Sequence, residues 1–142
     1  MIKVLFLCTG NSCRSQMAEG WARYLKSGVI EAYSAGATAQ GLNPLAVKVM
    51  AEADVDISQH RSKNVVDVLH IRFDYVVTVC DNARESCPIF PGNAKIVHRS
   101  FADPPLLAAN AKSEAEALVH YRRVRDEIRD FVLTLPEALL VG

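Results

Sequence analysis

The chain has 142 residues, half of them hydrophobic and 23% charged, which predicts one folded domain over residues 1–142 and excludes a disordered chain. Sixteen basic and sixteen acidic residues cancel, which argues against a nucleic-acid-binding protein. Since no apolar run approaches the roughly 18 residues of a membrane span and no signal peptide is visible, we expect a cytoplasmic protein without membrane contacts.

The first half of the chain predicts two strands and two helices. The continuous apolar run from Ile2 to Leu7 predicts a buried strand. From Ser15 onward, apolar residues recur every three or four positions, which predicts a helix that stops near Gly28. Val29 to Ser34 predicts a second strand, and Asn43-Pro44 predicts a helix start with proline at the first helical position.

The second half continues the alternation of strands and helices. A short helix is predicted around Lys63 to Leu69, and a strand over Tyr75 to Val79. The polar segment from Asp81 to Ser86 could form a short helix, and Ala94 to His98 predicts a fourth strand. Glu114 to Leu135 predicts a long amphipathic helix. This alternation predicts an α/β fold with a parallel sheet.

The loop between the first strand and the first helix predicts an oxyanion site. Its backbone N–H groups can converge on an anion at the positive end of the helix, and Arg14 adds a planar fork that matches a tetrahedral oxyanion. The same field favours the thiolate of Cys8, the candidate nucleophile, to which Ser15 can donate a hydrogen bond. The alternative is a buried strand-end cysteine beside a chance arginine. The predicted oxyanion-binding residues are Thr9, Gly10, Asn11, Ser12, Cys13, Arg14 and Ser15.

Two further cysteines indicate redox chemistry. Cys80 follows the third strand as Cys8 follows the first, so both are expected at the same edge of a parallel sheet. Cys80 and Cys87 are separated by six residues, which is wider than the usual spacing of zinc ligands, and the histidines form no ligand pattern. We therefore predict a pair of reactive thiols and no metal site. The alternative is that both are small buried hydrophobic residues.

The loop and its continuation through Gln16-Met17-Ala18-Glu19-Gly20 resemble the low-molecular-weight protein tyrosine phosphatase superfamily, and most closely its thioredoxin-coupled arsenate reductase branch. The resemblance extends from Val4 to about Phe131. It implies a three-layer α/β fold with a four-stranded parallel sheet flanked by helices. The other segments that carry it are Ser34-Ala35-Gly36, Ile57-Ser58-Gln59-His60, Pro88 after Cys87, and Asp103-Pro104.

The resemblance also implies an activity, the reduction of arsenate to arsenite for arsenic detoxification. Cys8 would attack arsenate, Cys80 and Cys87 would pass on the oxidation as a thiol relay, and Asp103 would act as general acid. Cys13 would pack rather than react, and Asn11 would brace the loop. Thioredoxin would supply the electrons to a monomer that holds no cofactor, and phosphate or sulfate could occupy the same loop.

Three departures from the family pattern and two rival functions remain. Lys63 replaces the acidic or amide side chain with which some members hold potassium, His98-Arg99-Ser100-Phe101 lacks the usual Trp-Gly, and Leu106 to Ala111 is an insertion. A phosphatase would need only Cys8, Arg14 and Asp103, although Pro-Leu-Leu after Pro104 lacks the aromatic residues of the tyrosine-specific branch. A thiol-based arsenic sensor is the non-enzymatic alternative.

Overall fold

A four-stranded parallel sheet forms the centre of the computed structural model, which describes residues 1–81 and 89–140. Counted along the chain, the strands lie side by side in the order second, first, third and fourth, and every neighbouring pair is parallel. The prediction of a parallel α/β fold is therefore confirmed. Because parallel strands all end at one edge, the segments that follow them meet there. The strands are β1 (Ile2–Cys8), β2 (Ile30–Gly36), β3 (Tyr75–Thr78) and β4 (Lys95–His98).

Side chains alternate between two cores along the central strand β1. Phe6 and Cys8 face the larger core, which α1 and α4 also supply through residues such as Trp21 and Ile128. Leu5 faces the smaller core on the other side of the sheet, together with other buried residues. The helices are α1 (Arg14–Leu25), α2 (Pro44–Glu52), α3 (Pro104–Leu107), α4 (Glu114–Leu133) and α5 (Glu137–Leu140).

The short helix predicted around Lys63 to Leu69 is present as a single 3-10 turn over Val65–Val68. The Asn64 side chain accepts a hydrogen bond from Val66 N and starts this turn. Branched valines restrict side-chain rotation and favour a helix only weakly, so the turn does not extend. The helix proposed over residues 81–86 lies, apart from Asp81, outside the described residues.

Two short helices near the chain's end were not predicted. α3 begins directly after Asp103, with Pro104 at its first position, where a proline fits because its missing N–H has no partner in the helix. α5 follows the long helix α4, which ends at Leu133, slightly before the predicted Leu135. Within the described residues, no helix is both long and apolar enough to cross a membrane.

Candidate active site

A cavity of about 280 Å³ opens over the loop that joins β1 to α1. It brings Cys8 and Arg14 of this loop together with Asp103, which lies far from them along the chain. Ser15 lies behind the loop and is fully buried. The other lining residues are Thr9, Gly10, Ser12, Cys13, Gln40, Asn43 and Pro105.

The carbonyl groups of the loop are held on its outer side by the segment 37–43. Ala37 N donates to Cys8 O at 3.2 Å, and Gln40 N donates to Gly10 O at 3.0 Å. In a trans peptide the N–H points away from the C=O, so carbonyls fixed outward turn the following N–H groups toward the cavity. This orientation suits the binding of an anion.

Gly36, the last residue of β2, allows the loop to pack closely against the sheet. A Cβ atom at this position would lie 2.7 Å from Asn11 N and 2.8 Å from Thr9 O and Thr38 O. All three are backbone atoms, which cannot move aside as a flexible side chain can. The absence of a side chain at Gly36 therefore determines the position of the loop.

Asn11 braces the loop from inside, as expected of it. It is fully buried and has a positive φ of 48°. Its Nδ2 donates to Ser15 Oγ at 2.8 Å, while its Oδ1 accepts from Gln16 Nε2 at 2.9 Å and from Lys63 N at 2.8 Å. Because the Ser15 hydroxyl accepts from Asn11, its own proton can be directed to another acceptor.

Arg14 is 3% exposed and contacts the segment that carries the candidate acid. Its Nη1 donates to Phe101 O at 3.2 Å, and its Nε lies 3.7 Å from Asp103 Oδ1. The Asp103 side chain is 32% exposed, so it can exchange protons with solvent. A cation and a proton donor therefore flank the same cavity.

Sequence reasoning missed a polar network behind the loop, centred on Glu19. This α1 carboxylate is 4% exposed; Oε1 accepts from Ser34 Oγ at 2.6 Å and Oε2 from Arg23 Nε at 2.8 Å. Lys63 Nζ lies 3.8 Å from Oε1, and His60 Nε2 lies 3.9 Å from Oε2. In the sequence, the only signals for this network were the segment from Ile57 to His60 and the residue Lys63.

Burial disfavours the charged forms of two members of this network. It lowers the pKa of His60, although the nearby carboxylate of Glu19 acts in the opposite direction. It also lowers the pKa of Lys63, again against Glu19. Within residues 1–81 and 89–140, no three histidine, cysteine, aspartate or glutamate side chains converge on a possible metal position.

Cys13 is a second buried thiol that lines the cavity. Burial, followed by the negative charges of Asp103 and Cys8, raises the pKa of the Cys13 thiol well above its usual range, and Arg14 only partly opposes this shift. Cys13 therefore stays protonated near neutral pH, which fits packing better than nucleophilic attack.

Cys80 lies near the end of β1, as the strand pattern predicted. The Val79 N–H donates to Leu7 O at 2.9 Å, so the chain entering Cys80 runs beside the chain entering Cys8. Cys80 is fully buried and disulfide-bonded, whereas Cys8 and Cys13 are free thiols. The predicted relay residue Cys87 lies outside the described residues.

Gln40, Asn43 and Pro105 line the cavity and were not predicted as site residues. The Asn43-Pro44 pair signalled a helix start, and the Asn43 side chain does accept from Leu45 N and Ala46 N at the start of α2. No sequence signal placed that helix start beside the loop, since the contact depends on how the chain folds after β2.

Comparisons with known proteins give consistent results. The protein-family model described as low molecular weight phosphotyrosine protein phosphatase matches residues 3–139. An arsenate reductase of Halalkalibacterium halodurans is 45% identical over 134 residues, which cover 94% of each chain. An arsenate reductase of Bacillus subtilis is 46% identical over 125 residues, or 88% of each chain. A solved structure described as an arsenate reductase in the phosphate binding state matches with a TM-score of 0.78 at 30% identity, covering 95% of this chain and 96% of that one.

Proposed function

The chain belongs to the low molecular weight phosphotyrosine protein phosphatase family, and we propose that, within this family, it is an arsenate reductase that uses a relay of three cysteines. The observation that carries the proposal is the free thiol of Cys8 in a cavity beside Arg14, with the disulfide-bonded Cys80 following the neighbouring strand. The similarity to curated arsenate reductases supports the same reaction.

In the first step, the loop binds arsenate and Cys8 attacks it. Inward N–H groups and Arg14 stabilise the dianion, and the Ser15 hydroxyl donates a hydrogen bond to the Cys8 thiolate before attack. A bond forms between the Cys8 sulfur and arsenic while one arsenic–oxygen bond breaks. The departing hydroxide takes a proton from Asp103 and leaves as water.

In the second step, electrons pass from thiols to arsenic. The Cys80 thiolate attacks the Cys8 sulfur, the sulfur–arsenic bond breaks, and its electron pair reduces arsenic from the +5 to the +3 state. Arsenite leaves after taking up protons from solvent. The Cys87 thiolate then attacks the Cys80 sulfur, which releases the Cys8 thiolate and leaves a Cys80–Cys87 disulfide. The free Cys8 and the bonded Cys80 suit the end of this sequence.

A thioredoxin-like dithiol protein would then reduce the disulfide, so that no bound cofactor is needed. The relay also requires motion, since Cys80 must come within about 7 Å (Cα to Cα) of each partner in turn. We expect residues 81–86 to rearrange between the reduced and oxidised states. Identical amide hydrogen exchange in the two states would contradict this. Such a relay needs a compartment that keeps thiols reduced, in agreement with a cytoplasmic location.

The second candidate function is phosphate-monoester hydrolysis. Cys8, Arg14 and Asp103 line one cavity, and these three groups suffice to form a phosphoenzyme intermediate, protonate the departing alcohol and hydrolyse the intermediate with water. This function would leave Cys80 and Cys87 without a role. The two candidates therefore differ in whether these cysteines affect turnover.

Arsenate-dependent oxidation of NADPH, coupled through thioredoxin and thioredoxin reductase, distinguishes these functions when p-nitrophenyl phosphate hydrolysis is measured in parallel. We expect sustained NADPH oxidation that Cys8→Ser, Cys80→Ser and Cys87→Ser each abolish. Cys87→Ser should still release arsenite once per protein molecule, because Cys80 has already completed the reduction. Ester hydrolysis without arsenate-linked NADPH oxidation, also with other thiol donors, would assign the protein to the phosphatases instead.

A further inference from the structure

Asn43 connects the cavity to three parts of the fold. Its backbone N–H donates to Ser12 O of the loop at 3.0 Å. Its side-chain Oδ1 accepts from Leu45 N at 2.8 Å and from Ala46 N at 3.2 Å, which caps α2. Its Nδ2 donates to Tyr121 Oη of α4 at 3.0 Å. Asn43 also lines the cavity, so a side chain held by several hydrogen bonds borders the space that a ligand would occupy.

The hydrogen-bond partners determine which way this amide points. Two backbone N–H groups face the oxygen, so the nitrogen must be the atom that contacts the tyrosine hydroxyl. An amide nitrogen carries two hydrogens, and Tyr121 accepts one of them. We propose that Asn43 donates the second hydrogen to the oxyanion in the cavity, and that Tyr121 is a positioning residue that holds the amide in place.

Tyr121 is well placed for this role. It is 3% exposed, and its ring belongs to the larger core, so the hydroxyl has little freedom to move. Burial raises the pKa of Tyr121; the hydrogen bond from Asn43 opposes this shift, and the negative charge of Asp103 adds to it. The hydroxyl is therefore uncharged near neutral pH and lies close to groups that line the cavity.

Two substitutions separate oxyanion binding from helix capping. Asn43→Asp keeps a side chain that caps helices equally well but replaces the donor with a carboxylate that repels the anion. Because this change removes the donor and also adds a charge that repels the anion, we expect phosphate binding about 10- to 100-fold weaker. Asn43→Ser also keeps a capping residue, adds no charge and is too short to reproduce the amide contact, so we expect a loss of about 2- to 10-fold.

Tyr121→Phe tests the positioning role because it removes the hydroxyl and keeps the ring in the core. We expect phosphate binding to weaken about 2- to 10-fold, and the KM for arsenate to rise by a similar factor with kcat nearly unchanged. A merely structural role would lower the stability without this separation of KM from kcat. An unchanged KM in a folded Tyr121→Phe protein would overturn the positioning role.

The experiment is isothermal titration of each folded variant with inorganic phosphate, an unreactive analogue of arsenate. Asn93→Asp is the charge control, because Asn93 is exposed in a cleft near the starts of β3 and β4, away from the loop. We expect it to bind phosphate as the unchanged protein does. Wild-type affinity in Asn43→Ser, or equal losses in Asn43→Asp and Asn93→Asp, would overturn the role of Asn43.

The inference rests on the proposed function only for the identity of the anion. Phosphate affinity is measured without any redox step, so it reports on Asn43 even if the protein does not reduce arsenate. Conversely, arsenate turnover with unchanged phosphate affinity in Asn43→Ser would contradict the inference and leave the proposed function intact.

Discussion

The Arg14 Nε lies 3.7 Å from Asp103 Oδ1, at the cavity that also contains the Cys8 thiol. The arginine is the first residue of α1, and the aspartate immediately precedes α3. The Phe101 carbonyl accepts a hydrogen bond from the same guanidinium, which holds the two segments in contact. Arg14 can therefore bind an oxyanion in the cavity while it also holds the segment that carries the candidate acid.

Asp103→Asn should separate chemistry from binding. The amide has the same shape but cannot supply a proton, so we expect kcat for arsenate to fall about 100-fold or more. Phosphate binding should be unchanged or tighter, because a negative charge leaves the cavity. Steady-state kinetics and phosphate titration measure the two effects. Asp130→Asn, an exposed change on α4, is the control. A kcat within a few fold of wild type would show that Asp103 is not the acid.

The loop was predictable because its signal is local. A strand, a short polar loop and a helix follow one another directly, so Cys8 and Arg14 could be assigned to one anion site. The partners of the hydrogen bonds that brace the loop could not be predicted from local sequence. Asn11 contacts Lys63, and Glu19 contacts Ser34, through pairs that only the packing of β2 and the 3-10 region brings together. Single-sequence periodicity carries no information about such pairings.

Gly36→Ala should displace the oxyanion loop. The new Cβ would lie 2.7 Å from Asn11 N, which forces backbone atoms on one side to move. We expect a loss of about 1–3 kcal/mol in stability from overpacking, together with weaker phosphate binding. Urea unfolding and phosphate titration test both effects.

Gly28→Ala is the matched control for this change, since a Cβ at Gly28 meets nothing within 4 Å. Its stability and phosphate affinity should remain close to those of the unchanged protein. If Gly36→Ala behaves in the same way as this control, the close approach of β2 does not determine the position of the loop.

Cys13→Ser should retain arsenate turnover, in contrast to Cys8→Ser. Burial raises the pKa of the Cys13 thiol, so this side chain is not a thiolate when Cys8 reacts. Serine has nearly the same size and is a favourable residue before a helix, where Cys13 precedes α1. We expect kcat within about threefold of wild type, because the change affects packing only. Loss of all turnover in a folded Cys13→Ser protein would place Cys13 in the reaction.

His60 should make stability depend on pH. Its Nδ1 lies 3.0 Å from Gln16 Oε1, and Gln16 Nε2 donates to Asn11 O at 3.2 Å, so the ring is connected to the loop. Burial lowers the pKa of His60 below its ordinary 6.5. Glu19 and Asp56 oppose the shift, whereas Arg23 and Lys63 add to it.

The direction of this pH dependence follows from the number of protons that His60 binds in the folded and in the unfolded protein. Between the lowered pKa and 6.5, the unfolded chain binds more protons at His60 than the folded protein does, so the free energy of unfolding rises with pH in this window. Stability is therefore lost as the pH falls below about 6.5. His60→Gln introduces an amide that can donate a hydrogen bond to Gln16 but cannot titrate. Between about pH 8 and about pH 5, we therefore expect this variant to lose less stability than the unchanged protein. Urea unfolding at both pH values measures the difference, with the exposed His70→Gln as control. Equal pH dependence in His60→Gln and the unchanged protein would contradict this assignment.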